Sequence, residues 1–510
     1  MESAAEPKTQ IDRALLAVGG VVILGAIMSI LDTTVVNVAI NKLAIAFSTP
    51  LSTIQWVATG YTLALATVIP LSAWASDRFG AKRVYGIAIV LFVLGSAATG
   101  LAWNTGSLIT FRVLQGLGGG MIMPAGMTIL ARAAGPQRLG RIMSVIGIPM
   151  LLGPILGPIL GGFLVDQVSW RWIFYINVPI GLVAVVLAAI VLPRERRVEG
   201  EAGRLDVLGV VLLSPGLAAF VYGLAQSTSH GGFSYPGAWV PAAAGLVLIA
   251  GFVAHALTDR NPLLDLRLFG DPSVGATGLV MVIFLIGAMG AMLLVPLYFQ
   301  LVRQGSALQA GLLLAPQGVG AMISMQLGGR LTDRVGASRV IAPGLVLTWF
   351  GLVAFAMLTA HTSYVVLCVD LFVSGIGFGL VMMPSMTAVM TFVPPEAISR
   401  ASTALNIIQQ AAISVGTAVF SIILTQELTA QFGGRVSGGG ALAAARSVPP
   451  ALRGVVEPLI ASAFAHTFVW ALAVITLAFV PGMFLFVISW RGRPAGVEEQ
   501  AEEQAEEIVA

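Results

Sequence analysis

Ser76-Asp-Arg-Phe-Gly-Ala-Lys-Arg-Val84 returns as Thr332-Asp-Arg-Val-Gly-Ala-Ser-Arg-Val340, with Asp, Arg, Gly, Ala, Arg and Val in the same register. Each copy is a short polar joint between two long apolar runs. The copies lie 256 residues apart. Six membrane-crossing helices with their loops need about 200 residues, so the interval leaves room for roughly two more spans. The economical arrangement is six helices, two inserted helices, then six more.

The composition agrees. Of 510 residues, 57% are hydrophobic and only 10% charged, and the mean hydropathy is +0.92. Soluble domains carry about 25% charged residues, so this chain has too few charges to build a surface facing water. Its net charge of +3 does not imply a nucleic-acid partner, because the basic residues stand singly between apolar runs with no basic face. The one cysteine, Cys368, excludes disulfides and a cysteine-based metal site. Residues 1–13 are hydrophilic and run into the first apolar segment without a small-residue cleavage site, as expected of a retained signal anchor.

Apolar segments of roughly 20 residues, each enough to cross a bilayer core, fall near 14–40, 52–75, 83–103, 107–130, 141–165, 172–192, 206–226, 238–257, 274–300, 307–328, 339–360, 364–391, 401–426 and 463–490. With residues 1–13 placed inside, 20 of the 27 Lys and Arg residues fall on cytoplasmic segments, six fall outside, and Arg112 lies within a span. That asymmetry orients the chain with both termini in the cytoplasm. The expected fold is therefore all-α and integral to the membrane, with 14 transmembrane helices. A six-helix bundle occupies 14–197, two inserted helices and their linkers 198–272, and a second six-helix bundle 273–493. The second bundle carries an outer loop at 427–462, Gly- and Ala-rich, and residues 494–510 form a cytoplasmic tail. Repeated halves around a site near the midplane are the architecture of many secondary transporters.

Several motifs add a family resemblance that spans nearly the whole chain. Ala73-Trp-Ala-Ser-Asp-Arg-Phe-Gly-Ala-Lys-Arg83 is similar to the cytoplasmic signature of the major facilitator superfamily. Its usual first glycine is Ala73 here, while the second copy keeps Gly329. Leu108-Ile-Thr-Phe-Arg-Val-Leu-Gln-Gly-Leu-Gly-Gly-Gly120 resembles the fourth-helix motif, with Arg112, Gln115 and Gly116 in place. Gly153, Gly157-Pro158 and Gly161-Gly162 resemble the fifth-helix motif of antiporters, with Ser144 where its leading glycine would be. Leu31-Asp-Thr-Thr-Val-Val-Asn-Val-Ala-Ile40 resembles the first-helix motif of the 14-helix drug:proton antiporters. Trp170-Arg-Trp-Ile-Phe-Tyr-Ile-Asn-Val-Pro179 is also typical of them.

Asp32 carries the most information. A carboxylate in a membrane helix costs about 2.5–3.5 kcal/mol on insertion scales, so it has a partner or a task. Asp32 lies about eight residues from the outer end of its span and Arg112 about five, a difference in depth of about 5 Å. The two are expected to face each other, directly or through water or Gln115. Such a pair suits proton coupling: moving the arginine, or bringing a cationic cargo near, changes which occupant the acid prefers. The alternative is a permanent ion pair that fixes helix packing.

In the repeated joints, Asp77, Arg78, Gly80 and Arg83, and Asp333, Arg334, Gly336 and Arg339, are either solvated topology determinants or, as the resemblance implies, a gating latch between the two halves. The glycines permit the tight turn. In the fifth span the glycines allow close backbone approach and the prolines allow bending. They mark either ordinary packing or, as the antiporter resemblance implies, a seam that seals the pore against ion leak. Asp370 is either a second protonatable or cation-binding acid or a hydrated residue at the outer interface. Candidate cavity-lining residues are Asn37, Gln55, Tyr61, Gln115, Met121 and Met123, and, later in the chain, Phe299, Gln300, Gln317, Asn406, Gln409 and Gln410. Methionine and aromatic surfaces suit varied apolar shapes. His255 and His466 lie near span ends and are expected at the interface.

No HExxH, GxSxG or Walker-type loop and no His/Cys cluster occurs, so neither a hydrolase nor an ATP-driven pump has support. The expected activity is proton-driven export of amphipathic, often cationic compounds by alternating access, with no cofactor, no metal and the proton gradient as energy source. Export of an endogenous antibiotic, lipid or siderophore would use the same pocket chemistry and stays open. A membrane-embedded lipid enzyme would need His, Asp and Glu clustered at cytoplasmic or interfacial loops, and the sequence suggests none. The expected setting is a bacterial inner membrane, with the protein a monomer and its partners lipid, protons and small amphipathic molecules. Low lysine with abundant arginine, alanine and glycine hints at a GC-rich bacterial source.

Overall fold

The computed structural model describes residues 13–49, 51–135, 138, 156–157, 159–193, 205–230, 232–259, 262–305, 307–391, 393, 397–432, 445 and 452–491. Among them no strand occurs. The long helices are α1 (Arg13–Ala46), α2 (two arms, Trp56–Val68 and Leu71–Phe79), α3 (Ala81–Gly100), α4 (Thr105–Ala134), α5 (Asn177–Val191), α6 (Val207–His230), α7 (Pro236–Thr258), α8 (Pro272–Leu301), α9 (Ala315–Val335), α10 (Ala337–Ala356), α11 (Tyr364–Thr391), α12 (Ile398–Gln431) and α13 (Arg453–Arg491). The arms of α2 are bent by 54°. Twelve of the described helices are long and apolar enough to cross a membrane, or thirteen if the bent pair is one span. The span expected at 141–165 lies mostly outside the described residues; what is described of it ends in a π-helical turn at Leu164–Val168.

Helices form because a chain in lipid must satisfy every backbone group within itself. Many large apolar side chains point outward rather than inward: Leu94, Ile190, Val247 and Val480 are all more than half exposed, the pattern of a surface bathed in acyl chains. Polar residues mark the ends. Asn104 and Ser107 close a capping box at the start of α4, with Ser107 N–H donating to Asn104 Oδ1 at 2.7 Å. Asp271 caps α8 by accepting from the N–H groups of Ser273 and Val274, ahead of Pro272 at the first turn.

The outer segment at 427–462 requires a correction. Helix α12 continues to Gln431 and α13 already begins at Arg453, so both ends of the expected loop are helical. Hydropathy falls at the edge of the bilayer, but Glu427, Leu428, Ala430 and Gln431 are good helix formers and carry the helix past it. Similarly α1 runs to Ala46, beyond the expected end at residue 40. Residues 1–12 and 492–510 lie outside the described residues.

Helices α1–α5 pack on one another, as do α8–α13. Glycines set the spacing in the first group. A Cβ on Gly116 would lie 2.6 Å from the Tyr61 carbonyl oxygen, and one on Gly118 would lie 2.6 Å from the Phe92 nitrogen. Bare backbone therefore lets α4 press between α2 and α3. Helix α6 leans on α7 and touches both groups, through α2 and through α12. Leu217 and Val221 of α6 join Ala66 and Ile69 before the α2 bend and Ala404 and Ile407 of α12 in one buried apolar cluster. Trp56 stacks on Tyr222 at 5.7 Å.

Candidate functional site

Asp32 and Arg112 are each 1% exposed. Arg112 Nη1 donates to Asp32 Oδ2 at 2.5 Å and to Gln115 Oε1 at 2.9 Å, while its Nε donates to the Val57 carbonyl at 3.1 Å. Gln115 Nε2 donates to Asp32 Oδ1 at 2.9 Å. Four helices build this centre, because Asn177 at the start of α5 also donates, Nδ2 to Asp32 Oδ1 at 3.0 Å. The Tyr61 ring lies under the guanidinium, 4.2 Å from its carbon, and the Tyr61 hydroxyl reaches Ser29 Oγ at 3.4 Å. Removing one partner of a buried ion pair leaves the other charge uncompensated, which costs about 3–5 kcal/mol.

Sequence spacing placed Asp32, Arg112 and Gln115 within reach of one another, and the structure brings them together. Asn177 was missed as a site residue. Its signal was a lone amide at the head of a membrane helix, inside a motif noted only as typical. Tyr61 and Gln115, expected to line a cavity, are instead buried in the ion-pair cluster, and Phe299 is buried against Tyr298 and Tyr364.

Two of the fifth-span glycines meet the first helix. A Cβ on Gly157 would overlap the Thr34 side chain, and one on Gly161 would come within 3.2 Å of Val35, so both glycines face α1. Their close approach packs this span against α1 two and three residues beyond Asp32. Gly162 faces open space. Gly153 and Pro158 lie outside the described residues, as do the side chains of Asn37 and Asp333.

At the motif-bearing end the two groups meet. Gly80 and Gly336 turn between helices with φ of 88° and 85°, a conformation that disfavours any side chain. Asp77 accepts from Arg132 Nη2 at 3.2 Å and lies 4.0 Å from Arg400 Nε. Arg132 Nη2 also donates to Ser399 Oγ at 3.0 Å, and Ser72 and Thr403 share a hydrogen bond of 3.0 Å. Arg78, Arg83 and Arg334 are exposed, and Arg339 is partly so. The acid of the first joint is thus served by arginines from α4 and α12. Sequence reading missed these because nothing in one dimension pairs residue 77 with 132 and 400.

Asp370, on α11, is partly exposed, but its Oδ2 is buried without a hydrogen-bond partner. Gln317 borders a cavity of about 20 Å³ with Met289, Met292 and Phe378, room for about one water. Asn406 Nδ2 donates to Met127 Sδ at 3.2 Å across the two groups. Gln409 is buried, Met121, Met123 and Gln410 are partly so, and Gln55 and Gln300 are exposed.

His255 is drawn into a cluster that sequence reading did not anticipate. Its Nε2 lies 2.9 Å from Asp206 Oδ1 and 3.6 Å from Asp259 Oδ2. Asp206, 49 positions before His255, and Asp259, four after it, offer ligand atoms within 4.8 Å of one another and of the histidine. Both Asp206 oxygens already accept backbone N–H groups, from Gly209 at 2.7 Å and Leu263 at 3.0 Å, so the cluster clasps the ends of α6 and α7. Burial alone would raise the Asp206 carboxyl, but hydrogen bonds from Gly209, His255 and Leu263 outweigh it and hold the group below its ordinary range. His466 Nδ1 lies 3.1 Å from Glu427 Oε2 and is exposed.

A family model described as Major Facilitator Superfamily matches residues 22–417. The "Multidrug resistance protein B homolog" of Mycobacterium tuberculosis (strain ATCC 25618 / H37Rv) is 41% identical over 495 residues, covering 93% of this chain and 91% of that protein. Among solved structures, the human organic anion transporter MFSD10 superposes with a TM-score of 0.60 at 15% identity, over 90% of this chain and 99% of that one. The proton:xylose symporter XylE gives 0.58 at 15% identity, over 94% and 96%. These two likenesses concern the fold.

Proposed function

The chain belongs to the major facilitator superfamily, and from that premise we propose that this membrane transporter is a proton-coupled antiporter that exports amphipathic, often cationic compounds from the cytoplasm by alternating access. Asp32 is the proton carrier and Arg112 its electrostatic partner. The buried Asp32–Arg112 pair is the observation that carries this reading: an acid isolated from water, already held by a cation, is where a proton or a cationic cargo gains most by exchange. No nucleotide-binding motif is present in the sequence, so the proton gradient supplies the energy and no cofactor is needed.

In this reading α6 and α7 are the helices inserted between two six-helix bundles of a 14-span chain, in a bacterial inner membrane with both termini cytoplasmic. The protein acts as a monomer. In this reading the contacts of Asp77 with Arg132 and Arg400, and of Ser72 with Thr403, close the cytoplasmic end. Protonation of Asp32 weakens its hold on Arg112, and the freed guanidinium allows α1 and α4 to shift toward the inward-facing state. Cargo arriving from the cytoplasm then favours loss of the proton. Asp370, with its unpartnered oxygen, is the second acid available to a cationic cargo.

The test is proton release from purified protein on addition of a lipophilic cation such as tetraphenylphosphonium. Wild-type protein should release protons and Asp32→Asn should not. Equal release from both would remove Asp32 from the coupling role.

A further inference from the structure

Among the described residues, every group hydrogen-bonded to the Asp32 carboxylate donates to it. Oδ2 receives Arg112 Nη1, and Oδ1 receives both Gln115 Nε2 at 2.9 Å and Asn177 Nδ2 at 3.0 Å. That shell fits a carboxylate. A carboxylic acid needs an acceptor for its new O–H, and a buried hydroxyl facing only N–H groups would be unsatisfied. Of the two amides, Gln115 already uses its oxygen to accept from Arg112 Nη1 at 2.9 Å. Asn177 does not. Its side chain is fully buried, its Nδ2 serves Asp32 and Ser96 Oγ at 3.1 Å, and its Oδ1 has no hydrogen-bond partner. An orphaned carbonyl oxygen on a side chain that already touches the acid is an acceptor held in reserve.

We propose that Asn177 is a positioning residue that serves both protonation states of Asp32, turning its side-chain amide so that Nδ2 donates to the carboxylate and Oδ1 accepts from the acid. The inference rests on Asp32 being the proton carrier. When a proton arrives from water and bonds to Asp32 Oδ1, the amide rotates about its last side-chain bond and presents its oxygen to the new O–H. Ser96 Oγ, which donates to the Phe174 carbonyl at 2.9 Å while accepting from Asn177, follows by turning its proton from that carbonyl to the amide oxygen. No other proton moves, and on deprotonation the amide turns back. Among the described residues, the charged or titratable groups facing this point are Arg112 from α4 and Tyr61 from α2, along with Asp32 itself on α1; α3 contributes the Ser96 hydroxyl.

Difference infrared spectroscopy of the full chain in lipid bilayers, titrated from alkaline to acid pH, tests this. Wild-type protein should show a carboxylic-acid C=O band that is absent from Asp32→Asn. In Asn177→Leu the band should move to higher frequency, toward that of an acid lacking one hydrogen bond. A second measurement needs no variant at position 177. With ¹³C-labelled asparagine side chains, one labelled amide C=O band should fall in frequency as Asp32 takes its proton, and this shift should be lost in Asp32→Asn. An acid band unmoved in Asn177→Leu, or a labelled amide band that ignores protonation, overturns the amide switch while leaving Asp32 as carrier. No Asp32-dependent acid band at any pH overturns both.

Discussion

Ser72, on the second arm of α2, and Thr403, on α12, share a hydrogen bond of 3.0 Å across 331 positions of sequence. The bond joins the first group of helices to the last at the end that carries the repeated motif. Close by, Arg132 bridges Asp77 and Ser399, and Asn406 reaches Met127. These contacts are few, polar and directional, and each is lost once its partners separate by more than about an ångström. They suit an end that must open.

Cysteines replacing Ser72 and Thr403, in a background where Cys368→Ser removes the one native thiol, should form a disulfide on mild oxidation. The crosslinked protein should lose transport and recover it on reduction. Measuring cation efflux from vesicles before and after reductant checks this; full transport with the crosslink in place would mean that this end does not open.

Arg112→Leu should lower stability by about 3–5 kcal/mol, because it strands a buried carboxylate. The double variant Asp32→Asn/Arg112→Leu should regain part of that loss, since an uncharged amide no longer needs the guanidinium. Thermal unfolding of the purified proteins compares the three. A double variant less stable than Arg112→Leu alone would show that the pair's charge is not what the site must balance.

Gly157→Ala and Gly162→Ala should behave oppositely. The first forces a methyl into Thr34 on the helix that carries Asp32, so proton exchange should fall. The second places its methyl in open space and gains about 1 kcal/mol of helix propensity, so exchange should be unchanged. Paired assays of the two variants decide the matter.

The Asp206 clasp carries a pH dependence. Its carboxyl is held below the ordinary range in the folded protein, so the stabilisation is fully present above the unfolded value of about 3.9 and is lost as pH falls through the lower folded value. Asp206→Asn should therefore be less stable than wild type at neutral pH, with the gap closing on acidification. Denaturation at a series of acid pH values measures the gap; one that widened toward low pH would contradict the assignment.

How much of this was legible in one dimension depends on the kind of signal. Asp32 and Arg112 stood out because charge in an apolar run is rare, and counting residues along two helices was enough to match their depths. The long helices followed from hydropathy, but their ends did not, since a helix such as α12 persists through Glu427 to Gln431 after the membrane signal has stopped. Asn177 was hidden because an amide is ordinary in any sequence; only its burial and its unpaired oxygen make it significant. Arg132, Ser399 and Arg400 were invisible because their roles depend on which helices meet at one end. The Asp206–His255 contact depends on how α6 and α7 fold back on each other.

One contact between the groups is unlike the others. Leu217 and Val221 of α6 rest against Ala66 and Ile69 on one side and Ala404 and Ile407 on the other, with no hydrogen bond to break. Apolar attraction has no preferred direction, so such surfaces can slide a short way while staying dry. In the proposed transport cycle that helix is a greased bearing: it keeps the moving parts aligned through each stroke, while the Ser72–Thr403 clasp immediately beside it decides when the stroke begins.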